Sequence, residues 1–197
     1  MSKKINITEI TLPTAKQLET EILREKYNQK YRQVLKSTVY SLVVVAAVAV
    51  LIATLAFPVL QISGSSMEPT LNDEEIVVLL KTTNMKKDEL CCFSYQNKLL
   101  IKRVIGLPGD KINIDTNGNV FVNDELIDEP YVTDKALGEC DVIFPCYVSD
   151  NHYFVLGDHR STSIDSRSSV IGLVSEEFIV GKIFFRIWPF ESISLVD

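Results

Sequence analysis

Apolar and polar positions divide the chain into two unlike parts. From Val39 to Leu60 run 22 residues without a charge. As a helix this stretch is about 33 Å long, enough for a hydrocarbon core of about 30 Å. A buried core helix keeps a polar face, and this run has none. A cleaved leader has a short charged portion, whereas here 38 residues precede the run. The pattern therefore predicts one uncleaved membrane-spanning helix. Ahead of it, Thr14-Ala15-Lys16-Gln17 has the form of a capping box, with Pro13 just before. The residues from there to Ser37 suit a helix that continues into the span, with a drifting apolar stripe of Leu18, Ile22, Tyr27, Tyr31, Val34 and Leu35.

Beyond Leu71 the pattern changes to short runs of strand formers separated by turn signals. The runs are Glu75–Leu80, Leu90–Ser94, Lys98–Ile105, Ile112–Ile114, Val120–Val122, Glu125–Ile127, Val142–Val148, His152–Leu156 and Phe178–Ile187. Gly106-Leu107-Pro108-Gly109-Asp110 and Asn117-Gly118 are the strongest turns. Only Ser175–Phe178 suggests a turn of helix, and Ile187-Trp188-Pro189-Phe190 forms an apolar cluster that faces either the core or a bilayer. The expected class is mainly β, an antiparallel sheet domain behind one N-terminal transmembrane helix. The expected division is 1–38 as head, 39–60 as span and 61–197 as body.

Charge adds a direction. Before Thr38 there are eight Lys+Arg and four Asp+Glu; from Thr38 onward there are twelve and 22. A basic head places the N-terminus in the cytoplasm and the body outside, in a single-pass cell-membrane protein. The acidic body carries no basic patch, which argues against nucleic acid as a partner. Cysteine use is compatible with an oxidising space: Cys140 and Cys146 flank a short loop and are either bridged or free. Cys91 and Cys92 are adjacent in an apolar run, so they read as small buried hydrophobes on opposite faces of a strand. Metal-type Cys/His spacing is absent, and no metal or organic cofactor is implied.

The chemistry concentrates directly after the span, in Ser63-Gly64-Ser65-Ser66-Met67-Glu68-Pro69-Thr70. A serine hydroxyl needs a neighbouring base to become a nucleophile. The candidate bases are His152, His159 and Lys102. Strand alternation puts Lys102 on the face of Leu100 and Val104, where an apolar setting disfavours its ammonium form, while Arg103 points to the other face.

Three stretches occur in order: Gly64-Ser65-Ser66-Met67-Glu68-Pro69-Thr70, Lys102-Arg103-Val104-Ile105-Gly106-Leu107-Pro108-Gly109-Asp110, and Gly157-Asp158-His159-Arg160-Ser161-Thr162-Ser163-Ile164-Asp165-Ser166-Arg167. Together they resemble the motifs of type I signal peptidases, and Val120 to Tyr131 resembles that family's central hairpin. The single span and small size resemble the Gram-positive form. A lysine rather than a histidine as base sets the chain apart from the eukaryotic branch.

The resemblance implies a membrane-bound Ser–Lys dyad endopeptidase. Its partners would be the lipid bilayer and secretory preproteins, whose signal peptides it removes after small residues. Carried over residue by residue, the nucleophile is Ser66 and the general base Lys102. Ser163 supplies the hydroxyl that orients the lysine, Asp165 and Arg167 form an ion pair beside the site, and Gly157 and Asp158 pack behind it. Ile62 and Met67 line the small-residue pockets. The backbone N–H of Ser66 is one oxyanion donor; with Gly64 two positions earlier, the second is open between Ser63 and Ser65. His159 stands where the family usually has Asn, as a hydrogen-bonding replacement. Two other readings compete: a self-cleaving repressor-like protease, which the span and acidic body disfavour, and a non-catalytic anchored β-domain, which leaves the three motifs unexplained.

Overall fold

The structure, a computed structural model, describes residues 13–196. The chain divides into two compact units, Met1–Ala53 and Thr54–Asp197. Almost all of the described part of the first lies in the helix α1 (Ala15–Ala56). Gln17 folds back on Thr14, its side-chain oxygen accepting the Thr14 N–H at 2.9 Å, which is the returning half of the expected capping box. No residue of α1 is buried, and the helix is long and apolar enough to cross a membrane.

The helix ends earlier than the expected span. It stops at Ala56, and the chain then forms β1 (Val59–Gln61), so residues 57–60 are not helical. Pro58 explains this. It has no N–H to donate, and it bars the helical conformation at Phe57. Its carbonyl instead accepts Leu79 N–H at 2.8 Å, beside the ladder that β1 forms with β2 (Ile76–Leu80).

Among the described residues the body holds two antiparallel sheets. The larger also contains β3 (Leu90–Tyr95), β4 (Lys98–Gly106), β9 (His152–Leu156), β10 (Val174–Ser175) and β11 (Ile179–Trp188). Its order is β1-β2-β11-β3-β4-β9-β10, and β12 (Ser194–Leu195) also pairs with β11. The smaller sheet runs β7 (Glu125–Leu126), β6 (Val120–Val122), β5 (Lys111–Ile114), β8 (Cys146–Tyr147). The strand expected over Val142–Val148 shrinks to Cys146–Tyr147. Pro145 lacks an N–H, and the N–H groups of Asp141 and Val142 are both used by the carbonyl of Arg167.

Strand alternation builds three apolar clusters. Cys92 joins Ile62, Met67, Leu71, Val77 and Leu79, whereas Cys91 and Phe93 join Val104, Tyr153 and Val155. Phe154 and Leu156 turn the other way, onto Ile105, Ile112 and Val122 of a third cluster. Both central cysteines are fully buried, and Cys140 and Cys146 are free thiols. The Ile187–Phe190 cluster is not a core element. Trp188 and Phe190 pack edge to face, with centroids 4.8 Å apart, and remain 44% and 71% exposed.

Candidate active site

The segment that carries Ser66 is held at both ends. Ile62 N–H donates to the Glu75 carbonyl at 2.8 Å and Gly64 N–H to Asp73 Oδ1 at 2.8 Å. Gly64 lies at φ +100°, a conformation that side-chain-bearing residues rarely adopt, and this lets the chain turn sharply before the serines. A helical turn follows: Glu68 N–H donates to Ser65 O and Leu71 N–H to Met67 O. The buried side chains of Met67 and Leu71 anchor it in the first cluster, so the half-buried Ser66 just before Met67 has little freedom.

Lys102 stands on β4, its backbone in register with Cys91 of β3. Its side chain is 4% exposed, and Nζ lies 2.8 Å from Ser66 Oγ. Burial disfavours the ammonium and pulls its pKa down to about 8; Asp165 opposes this and Arg167 reinforces it.

The loop after β9 closes the site from behind. Gly157 fits where no side chain would. A Cβ there would collide with the Ser163 side chain and stand 2.6 Å from the Ser66 carbonyl oxygen. Asp158 accepts two hydrogen bonds from Arg103, at 2.9 and 2.7 Å, and one from Thr70 Oγ1 at 2.5 Å. Asp165 and Arg167 form the expected ion pair at 2.8 Å, both fully buried, and Asp165 Oδ2 also accepts Gly157 N–H. Ser163 lies against Gly157, but its hydroxyl does not reach the lysine. Ser163 Oγ is buried and has no hydrogen-bond partner among the described residues.

Two cavities open on the pair. The smaller, about 190 Å³, is lined by Ile62, Met67, Leu60, Leu99 and Ile101 together with Ser66 and Lys102. The larger, about 440 Å³, is bounded by Ser63, Ser65, Tyr95, Lys98, Ile164 and Ile171. A further cavity of about 410 Å³, between Lys86–Leu90 and Ile183–Phe184, contains none of the expected site residues.

Sequence reading missed the ionic frame around the site. Arg103 is buried over the ring of Tyr131, 3.9 Å from its centroid, and Arg160 is buried against Glu129 at 2.5 Å. Arg103 and Arg160 sit inside the motifs, so their presence was visible. Their partners lie 55 and 31 positions away, and no local pattern marks such pairs.

A family model described as signal peptidase, peptidase S26, matches residues 35–188. The chain is 33% identical over 164 residues to a signal peptidase I of Bacillus amyloliquefaciens, covering 78% of this chain and 88% of the relative. It is 37% identical over 149 residues to a signal peptidase IB of Staphylococcus aureus, covering 66% and 76%. A solved signal peptidase I from Enterococcus faecalis aligns with a TM-score of 0.42 at 24% identity, covering 50% of this chain and 96% of that one.

Proposed function

The chain belongs to the signal peptidase family, peptidase S26, and from that premise we propose that it cuts signal peptides from exported preproteins with Ser66 as nucleophile and Lys102 as general base. As a family member it is a serine endopeptidase, which sets aside the repressor-like and non-catalytic readings. The observation that carries the residue assignment is the 2.8 Å approach of a buried Lys102 Nζ to Ser66 Oγ.

The chemistry follows from that geometry. Neutral Lys102 takes the Ser66 hydroxyl proton as Oγ bonds to the scissile carbonyl carbon. The negative charge moves to the carbonyl oxygen, where the Ser66 N–H receives it. Collapse breaks the C–N bond, and the Lys102 ammonium returns its proton to the leaving amine of the mature protein. Water, deprotonated by the same amine, then attacks the acyl carbon; the ester C–O bond breaks, the Lys102 ammonium returns its proton to Ser66 Oγ, and the signal peptide leaves as a carboxylic acid that ionises in water. A histidine base is disfavoured, because the ring of His159 contacts the Ser65 carbonyl rather than Ser66 Oγ. The small apolar cavity lined by Ile62 and Met67 fits substrates with small residues before the cut.

The membrane placement belongs to the same proposal: α1 crosses the bilayer, with the basic head in the cytoplasm and the body outside. Ser66 follows the end of α1 by ten residues, so the chain can carry it no more than about 33 Å from Ala56. The test is cleavage of a preprotein with an Ala-x-Ala site by detergent-solubilised protein. Ser66→Ala and Lys102→Ala are each expected to abolish it; normal cleavage by either variant would remove the dyad.

A further inference from the structure

One residue holds both peptide units that flank Ser66. The His159 backbone N–H donates to the Ser66 carbonyl at 3.2 Å, and its ring Nδ1 lies 3.3 Å from the Ser65 carbonyl oxygen. A carbonyl oxygen only accepts, so the Nδ1 atom carries the proton in this contact. The Ser65 carbonyl and the Ser66 N–H are opposite ends of one planar trans peptide. Fixing the oxygen end therefore fixes the direction of the N–H. A donor at the oxygen also polarises the amide and makes its N–H a stronger donor.

From this geometry we infer that His159 is a positioning residue for the oxyanion donor, acting on the reaction through the Ser65–Ser66 peptide and touching no reacting atom. The inference rests on the reading of Ser66 as nucleophile and adds a role for the residue beside it. The Ser65 oxygen also accepts Glu68 N–H at 3.1 Å, which occupies its other lone pair. The ring is thus the second of two anchors. Loss of an oxyanion donor outright lowers kcat by roughly 10² to 10³; loss of one anchor of two is expected to lower it less, by about tenfold.

The ring is half-exposed, while the backbone N–H that holds Ser66 is independent of the side chain. His159→Phe therefore keeps the ring shape and the backbone bond and removes only the ring donor. His159→Asn restores an N–H close to the position of Nδ1. The experiment measures kcat and KM of both variants on a preprotein substrate, next to Ser66→Ala and with melting curves for each. The expected result is kcat down about tenfold in His159→Phe with KM within about twofold, an unchanged melting temperature, and His159→Asn within about threefold of wild type. Equal kcat in His159→Phe and wild type overturns the inference, as does an Asn variant as impaired as the Phe variant. A lowered melting temperature in His159→Phe that Asn does not restore also overturns it, because the ring would then be a packing element. Activity in Ser66→Ala would sink the nucleophile assignment itself, separately from the role of His159.

Discussion

Arg103 and Asp158 face each other through two hydrogen bonds, Nε to Oδ1 at 2.9 Å and Nη2 to Oδ2 at 2.7 Å, with side chains only 2% and 1% exposed. Arg103 directly follows Lys102, and Asp158 directly precedes His159. Thr70, at the end of the Ser66 segment, donates to the same carboxylate. Three segments distant in sequence therefore meet on one buried Asp. This is how the fold brings Ser66 and Lys102 within hydrogen-bond reach of each other.

Asp158→Ala removes the carboxylate and leaves a guanidinium in the interior, where breaking a buried pair costs about 3 to 5 kcal/mol. Denaturant unfolding of the variant is expected to show a loss of that size, together with loss of cleavage. Replacing both partners, as in Arg103→Leu with Asp158→Leu, is expected to cost clearly less than the sum of the single changes. A loss below about 1 kcal/mol for Asp158→Ala would mean that the pair does not hold the three segments together.

The proposed dyad needs the uncharged form of Lys102, whose pKa burial has drawn down to about 8. At pH 7 about one-tenth of the molecules are then in that form. The rate constant kcat/KM is expected to rise nearly tenfold from pH 6 to 7, about fivefold from pH 7 to 8, and to level off above it. A peptide substrate without ionisable groups near the cut isolates this limb. A profile flat from pH 6 to 9 would exclude Lys102 as the base.

Much of this site was readable before any coordinates. Ser66 and Lys102 stood out because each lies in a long local motif, and the face of Lys102 followed from the alternation of Leu100, Lys102 and Val104. Cys91 and Cys92 sit on opposite faces for the same reason. What escaped was of two kinds. The helix stops just before Pro58, whose effect is visible in the sequence, but the three-residue strand β1 that follows gains its hydrogen bonds only from β2 and leaves no local pattern. The buried partners of Arg103 and Arg160 depend on which loops the fold brings together, and periodicity carries no record of that. Ser163 lies against Gly157 and its hydroxyl meets no partner among the described residues, so the expected contact with Lys102 is not made; a residue's place in a motif does not specify the rotamer of its hydroxyl.

Lys102 is also a stability statement. Its pKa is below the value of an exposed lysine, so the unfolded chain binds its proton more tightly than the native one does. The penalty is fully present below pH 8, shrinks as pH rises, and vanishes above the unfolded value near 10.5. Its size is about 3 kcal/mol at most. Lys102→Met removes the amine and keeps an unbranched side chain in the apolar setting. The variant is expected to be inactive yet more stable than wild type at pH 7, by about 1 to 3 kcal/mol, with the difference closing toward pH 10.5. Paired denaturation curves at pH 7 and pH 10 read this directly. A variant less stable than wild type at both pH values would show that the amine is not strained by burial.

Gly157 offers a test of how tightly Ser66, the proposed nucleophile, is held. An added Cβ would press on the Ser163 side chain and stand 2.6 Å from the Ser66 carbonyl oxygen. Neither side can give easily. Gly157 N–H is bound by Asp165 Oδ2 at 2.9 Å and its carbonyl by Arg160 Nε at 3.0 Å, while the Ser66 carbonyl is bound by His159 N–H. Gly157→Ala is expected to lose about 1 to 3 kcal/mol through overpacking and to lower kcat at least tenfold, because the Ser66 peptide must move. Gly106→Ala is the matched control. Its Cβ would meet Ile112 Cδ1 at 2.8 Å and side-chain atoms of Phe154 and Val148 at 3.0 Å, all in the third apolar cluster. That variant is expected to lose comparable stability but to keep kcat within about threefold when assayed where both proteins remain folded. Equal activity in the two alanine variants would mean that the Ser66 carbonyl tolerates displacement, and that catalysis does not depend on how closely Gly157 packs against it.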